Sequence, residues 1–199
     1  MTFRLGPLPE SPEFTPDESW ILVHEPSLPG FQVRAIPIAV VTTVSLAVLW
    51  IIFTPIWHDM GALTFPLPIL KFIACLLGVL VVHELIHASV HPKIGISENT
   101  VIGFWPSRMF IYTVYAGELT KNRCLAILIM PFVMISVVPL VFATITQTTS
   151  FWVAYISILN GLLACGDLLA AIMTMRLFPN GAIIRTKGWL TFWKPRNHG

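Results

Sequence analysis

Gly78-Val79-Leu80-Val81-Val82-His83-Glu84-Leu85-Ile86-His87-Ala88-Ser89-Val90 places three ionisable side chains within five residues of an otherwise apolar run. Read outward, the run extends from Leu67 to Val90. A helix needs about 20 mainly apolar residues to cross a bilayer, and this run is long enough. On a helix, His83 and His87 stand one turn apart on the same face, so both imidazoles can reach one metal ion. Glu84 then sits where a carboxylate can take a proton from an activated water. Five-residue patterns arise by chance, and the setting decides how much this one weighs. An ionisable residue at membrane depth costs on the order of 3 kcal/mol on insertion scales, and residues retained there usually carry function. The competing reading is a polar cluster that glues helices together.

The rest of the 199-residue chain supports a lipid setting. It is 55% hydrophobic and 11% charged, with a mean hydropathy of +0.78, whereas soluble domains carry roughly a quarter charged residues. Such a chain would leave large apolar patches in water. The net charge of +2 is too small to point to nucleic acid, and no basic run with interleaved aromatics is present. Cys75, Cys124 and Cys165 all fall in apolar segments, which fits packing residues rather than a disulfide framework or a zinc ribbon. Cys165 is notable for lying two residues from Asp167. Residues 1–34 hold prolines at 7, 9, 12, 16, 26 and 29 with no apolar core near the start. They read as a Pro-rich, mostly irregular cytoplasmic extension without a cleavable leader, whose Trp20 to Val23 could rest on the membrane surface.

Four spans are expected, at residues 35–56, 67–90, 124–145 and 151–175, within a transmembrane domain covering 35–178. Pro131 and Pro139 interrupt the third, where neighbours can satisfy the carbonyls they free. Lys and Arg assign the sides. Arg4 and Arg34 precede span one; Lys93, Arg108, Lys121 and Arg123 lie between spans two and three; Arg176, Arg185, Lys187, Lys194 and Arg196 follow span four. Connections 57–66 and 146–150 have none, and Lys71 can snorkel from the start of span two. Both termini, including a basic tail at 179–199, are therefore expected in the cytoplasm of a multi-pass cell-membrane protein. Trp57 and Trp152 fall at the opposite interface. The overall expectation is an all-α membrane protein of four transmembrane helices. A short β-hairpin could stand between helices two and three, because residues 97–120 contain Val101 to Trp105 and Met109 to Tyr115, β-branched and aromatic runs too short to span. An interfacial loop anchored by aromatics is the other reading of that stretch.

A catalytic zinc site of this type needs a third protein ligand and one open position. Asp167 is the charged residue of span four that precedes Arg176. It lies nine residues before Arg176, while His83 lies eight before His91, so at about 1.5 Å per residue both sit roughly 12–14 Å from the same boundary. The two spans run in the same direction, and the groups can meet. His91 competes as third ligand but stands about 12 Å along the helix from His83, too far to share a metal with both histidines. Asn160, two turns before Asp167 on the same face, could bond a substrate backbone, orient the site, or simply pack helices. Gly161 and Gly166 would admit a close backbone. His58 and Asp59, in the outer connection, read as solvated.

With His83-Glu84-Leu85-Ile86-His87-Ala88 in one span, Asn160 through Asp167 two spans later, and an apolar third span running from Arg123 to Pro131, the chain resembles the site-2 protease class of intramembrane zinc metalloproteases. It is most similar to the small bacterial membrane proteins catalogued as putative zincin peptidases. The resemblance covers roughly residues 67–178. It implies His83, His87 and Asp167 as Zn²⁺ ligands, Glu84 as general base and Asn160 as a substrate-positioning residue. It also implies a strand between the second and third core spans that holds the substrate by edge pairing. The site-2 pattern has a leucine before the aspartate, a glycine after it and a proline-broken helix; here the residues are Cys165-Gly166-Asp167-Leu168, with no proline from Phe151 to Leu177. The implied partners are a membrane protein or peptide substrate and the lipid bilayer. Two alternatives stand beside a protease: a zinc-dependent hydrolase of a non-peptide amide or lipid-linked substrate, and a non-catalytic zinc-binding sensor or regulator.

Overall fold

The computed structural model describes residues 1–11, 13–56, 69–108, 110–148 and 150–196. Trp57, His58, Asp59, the first two residues of the expected second span and Met109 lie outside them.

Four long apolar stretches are helical. Helix α1 spans Leu28–Phe53, α2 Ile69–Val90, α3 Lys121–Pro131, α4 Val138–Thr146, α5 Phe151–Leu163 and α6 Cys165–Leu177. A π-helical segment, Phe132–Val137, joins α3 to α4 and marks the place where two prolines interrupt the ladder. Among the described residues, α1, α2 and the α3–α4 unit are each long and apolar enough to cross a membrane; α5 with α6 makes a fourth if that pair is one span.

Two differences from the sequence expectation have a visible physical cause. Helix α1 starts at Leu28 rather than Ala35 because Pro29 occupies the first turn, where a missing N–H removes no helical bond. The fourth stretch is not one straight helix: it bends by 50° between α5 and α6, although no proline is present. Ala164, at the bend, has ψ 0°, outside the helical range. The bend frees the Gly161 carbonyl, which accepts from Thr42 Oγ1 of α1 at 2.9 Å. Gly161 has no room for a Cβ because Leu46 of α1 packs directly on it. Close approach of α1 and a hydroxyl from that helix stabilise the bend.

The protein is also not all-α. Strands β1 (Thr2–Leu5), β3 (Thr100–Trp105) and β4 (Phe110–Tyr115) form one sheet in the order β1-β3-β4; β2 (Ile21–Leu22), β5 (Leu119–Thr120), β6 (Ile183–Lys187) and β7 (Leu190–Lys194) form another in the order β2-β7-β6-β5. The β3–β4 hairpin settles the two readings of residues 97–120 in favour of strands, with Thr100 opposite Tyr115 and Trp105 opposite Phe110. The N-terminal extension, expected to be mostly irregular, joins the sheets, and the C-terminal tail does so too. Strand β1 pairs in parallel with β3, and β2 pairs with the distant β7. Strands of four and two residues carry too few positions for an alternation pattern, so long-range pairing is what makes them strands.

Packing ties these layers together. Leu46, Trp50, Ile56, Leu140, Ala143 and Ala154 form an apolar cluster between α1, α4 and α5. Lys121, buried at the start of α3, donates from Nζ to the carbonyls of Met175 (3.2 Å) and Phe178 (2.6 Å). It thereby caps the end of α6 with a charge that complements the helix dipole. At the end of α2, buried His91 meets Thr100 Oγ1 through Nδ1 at 3.3 Å, stacks edge-on against Tyr115, and accepts on its carbonyl from Arg123 Nη2 at 3.2 Å. It pins the hairpin to the helix.

Replacing Lys121 by Met leaves the ends of α6 without their donor and should lower stability in detergent by about 2–3 kcal/mol, read as an earlier thermal unfolding transition. Burial, with help from His87 and Arg123, holds the His91 pKa down to about 4 from its ordinary 6.5. The unfolded chain therefore binds a proton there that the folded chain refuses. Stability is complete above about pH 6.5 and declines as pH falls toward 4. In chelator-treated protein, His91→Gln should flatten that acid slope in thermal melts at stepped pH.

Candidate metal centre

Helical spacing places His83 and His87 on one face of α2, and both are buried. Their Nε2 atoms stand 3.1 Å apart. Asp167, in the first turn of α6, brings Oδ2 to 2.9 Å from His83 Nε2 and 3.3 Å from His87 Nε2. The bend between α5 and α6 makes Asp167 a first-turn residue of a new helix, with its side chain partly exposed. The structure thus brings together the three residues that depth-matching selected.

The back of each ring shows which nitrogens carry protons. His83 Nδ1 lies 2.8 Å from Asn160 Oδ1, and His87 Nδ1 lies 2.8 Å from the Ile127 carbonyl of α3. Asn160 is oriented unambiguously, because its Nδ2 donates to Ser136 Oγ at 2.8 Å and to the Pro131 carbonyl at 3.2 Å. Both ring partners are acceptors, so both Nδ1 atoms donate, and a neutral ring held this way presents its Nε2 lone pair to the centre. Two imidazole Nε2 atoms and a carboxylate oxygen then converge at 2.9–3.3 Å. A positive charge, carried by a proton or by a metal ion, is what holds such a group together. Two imidazoles and a carboxylate are a zinc donor set, and a tetrahedron with bonds of 2.0–2.1 Å has edges of about 3.3–3.4 Å. The donors fit zinc.

Glu84 lies beside this triangle. His83, Glu84 and His87 offer ligand atoms within 4.8 Å of one another and form a group able to hold a metal by themselves. With Asp167 at 2.9 and 3.3 Å from the imidazole nitrogens, a metal can be held there without the Glu84 carboxylate. Glu84 is also where β4 meets α2: Thr113 Oγ1 donates to the Glu84 carbonyl at 3.1 Å. Strand β4 is an edge of its sheet, so a strand edge stands next to the site.

Asn160 was expected to position substrate. It is fully buried, with both N–H groups and its carbonyl committed to the protein. Its placement serves the orientation of His83 and offers a substrate no surface. Behind it runs a chain of buried polar groups absent from the sequence reading. Ser136 Oγ donates to the Ser157 carbonyl at 2.8 Å, Ser157 Oγ donates to the Ser136 carbonyl at 2.9 Å, and Trp50 Nε1 donates to Ser157 Oγ at 2.9 Å. The signal for Ser136 and Ser157 was a single serine in each of two apolar spans. His91 faces Thr100 and Tyr115, not the imidazole pair. Cys165 is a free thiol, as are Cys75 and Cys124.

Replacing Asn160 with Leu removes the acceptor behind His83 and should weaken zinc binding by about 10- to 100-fold, measured by competition with a chromophoric chelator.

Residues 76–183, more than half of the chain, match a protein family described as "Putative zincin peptidase". No curated protein and no solved structure matches the chain.

Proposed function

The chain belongs to that zincin peptidase family, and from this premise we propose that it is an intramembrane zinc metalloprotease of the site-2 type. It would hydrolyse peptide bonds of membrane protein substrates near the cytoplasmic face of the cell membrane. The observation that carries the reading is the convergence of His83, His87 and Asp167, with Glu84 beside them, on helices apolar enough for lipid. A structural zinc is closed by four protein ligands, whereas three ligands and a spare carboxylate suit catalysis.

Zinc held by His83, His87 and Asp167 would lower the pKa of a water and polarise the substrate carbonyl. Glu84 takes the proton from the attacking water and delivers it to the leaving amine. Asn160 and the Ile127 carbonyl keep the two imidazoles in the tautomer that leaves Nε2 free. A substrate helix must unwind before cleavage, because its carbonyls are bonded internally. The outer edge of β4, unpaired among the described residues, suits an extended segment, which would gain backbone bonds there as it loses helical ones.

Sidedness is supported by how the three basic regions meet. The N-terminal tail and the segment between α2 and α3 contribute strands to both sheets, and the C-terminal tail pairs with both of them in the second. They therefore lie at one end of the helices, and their Lys and Arg content makes that end cytoplasmic.

The test is Glu84→Gln in the full-length protein. It should bind zinc stoichiometrically yet lose hydrolysis by at least about 10²-fold. Proteomics of cells carrying wild type or variant should show membrane proteins accumulating uncleaved with the variant. Unchanged cleavage removes Glu84 as the base; absence of zinc in the wild-type protein removes the metal reading.

A further inference from the structure

Pro131 passes through the third apolar stretch in a helical conformation, with φ −60° and ψ −40°. A helical residue at that position gives its N–H to the carbonyl four residues earlier, and proline has none to give. The carbonyl so deprived belongs to Ile127, a buried residue. The donor that takes the vacant place is His87 Nδ1–H, at 2.8 Å. On its other side, the Pro131 carbonyl accepts from Asn160 Nδ2 at 3.2 Å, and Asn160 Oδ1 faces His83 Nδ1 at 2.8 Å. One fully buried proline therefore stands behind both imidazoles.

We propose that Pro131 is a positioning residue of the metal centre: by withholding an N–H it reserves the Ile127 carbonyl for His87 and so aims His87 Nε2 at the metal. The inference rests on the zinc reading of the site. A kink alone would not need this residue to meet the histidines. Pro139, the second proline of the same stretch, supplies the contrast, since no hydrogen bond of His83 or His87 reaches a carbonyl in the turn before it.

Pro131→Ala in the full-length protein in detergent restores the N–H and makes it compete with His87 for Ile127. In chelator-treated protein, ¹⁵N shifts of the His87 ring should change from the Nδ1–H tautomer to a mixture. Zinc affinity, from chelator competition, should fall about 10-fold. The melting temperature of the metal-free variant should hold or rise, because Ala is the better helix former. Pro139→Ala should leave both the tautomer and the zinc affinity unchanged. An α-hydroxy acid at position 131, which again lacks the N–H, should restore affinity. The proposal is overturned if Pro131→Ala leaves the His87 tautomer and zinc affinity as they were. It is equally overturned if Pro139→Ala produces the same loss, or if the loss is matched by a drop in metal-free stability. Wild-type protein that binds no zinc would sink the metal reading instead, while the ring shifts still decide whether Pro131 governs His87.

Discussion

Two imidazoles turn their Nε2 atoms toward one another across 3.1 Å, and they do so while each is held from behind by an acceptor on another helix. For His83 the acceptor is Asn160 of α5; for His87 it is the Ile127 carbonyl of α3. Asp167 of α6 completes the convergence from the front. The site thus draws on four helices, and any shift of one against another would misplace a donor atom by a good part of a bond length. Much of the rest of the structure can be understood as what keeps those four in register.

In lipid, apolar contact does little to bring helices together, so packing of small residues and interhelical hydrogen bonds must do it. Both are found where α1 and the π-helical segment meet α5. Gly161 lets Leu46 approach, Thr42 Oγ1 donates to the Gly161 carbonyl, and the Ser136–Ser157 pair exchanges hydroxyl bonds with each other's backbone. Trp50 closes that chain from α1. Every polar group in it has a partner, the condition under which a buried network adds rigidity rather than strain. The same network ends on Asn160, so helix packing and histidine orientation are one set of bonds.

The sheets act at the ends of these helices. Lys121, immediately after β5, caps the carbonyls that close α6, and so couples the helix bearing Asp167 to the helix bearing Ile127. His91 and Arg123 fasten the β3–β4 hairpin to the end of α2, and Thr113 brings β4 to Glu84. A strand edge is thereby delivered to the side of the site where Glu84 stands.

The sequence by itself determined that the chain is built of long apolar helices and that one of them carries a zinc-type motif. Long uncharged runs need lipid whatever their arrangement, and HExxH on a helix puts two imidazoles on one face by periodicity alone. Depth along two co-directional helices was enough to select Asp167, because rise per residue is a local quantity. The hairpin was half legible, in β-branched and aromatic runs bounded by turn residues. What the tertiary structure decided depends on contacts between residues far apart in the chain. It made strands of Thr2–Leu5 and Ile21–Leu22 by pairing them with β3 and β7, and it bent the fourth stretch at Ala164 without a proline. It also turned Asn160 inward to hold His83, where sequence allowed it to face a substrate. The Ile127 carbonyl could not be read as part of the site at all: a backbone oxygen has no residue letter, and it acquires its role from a proline four residues later and a histidine on another helix.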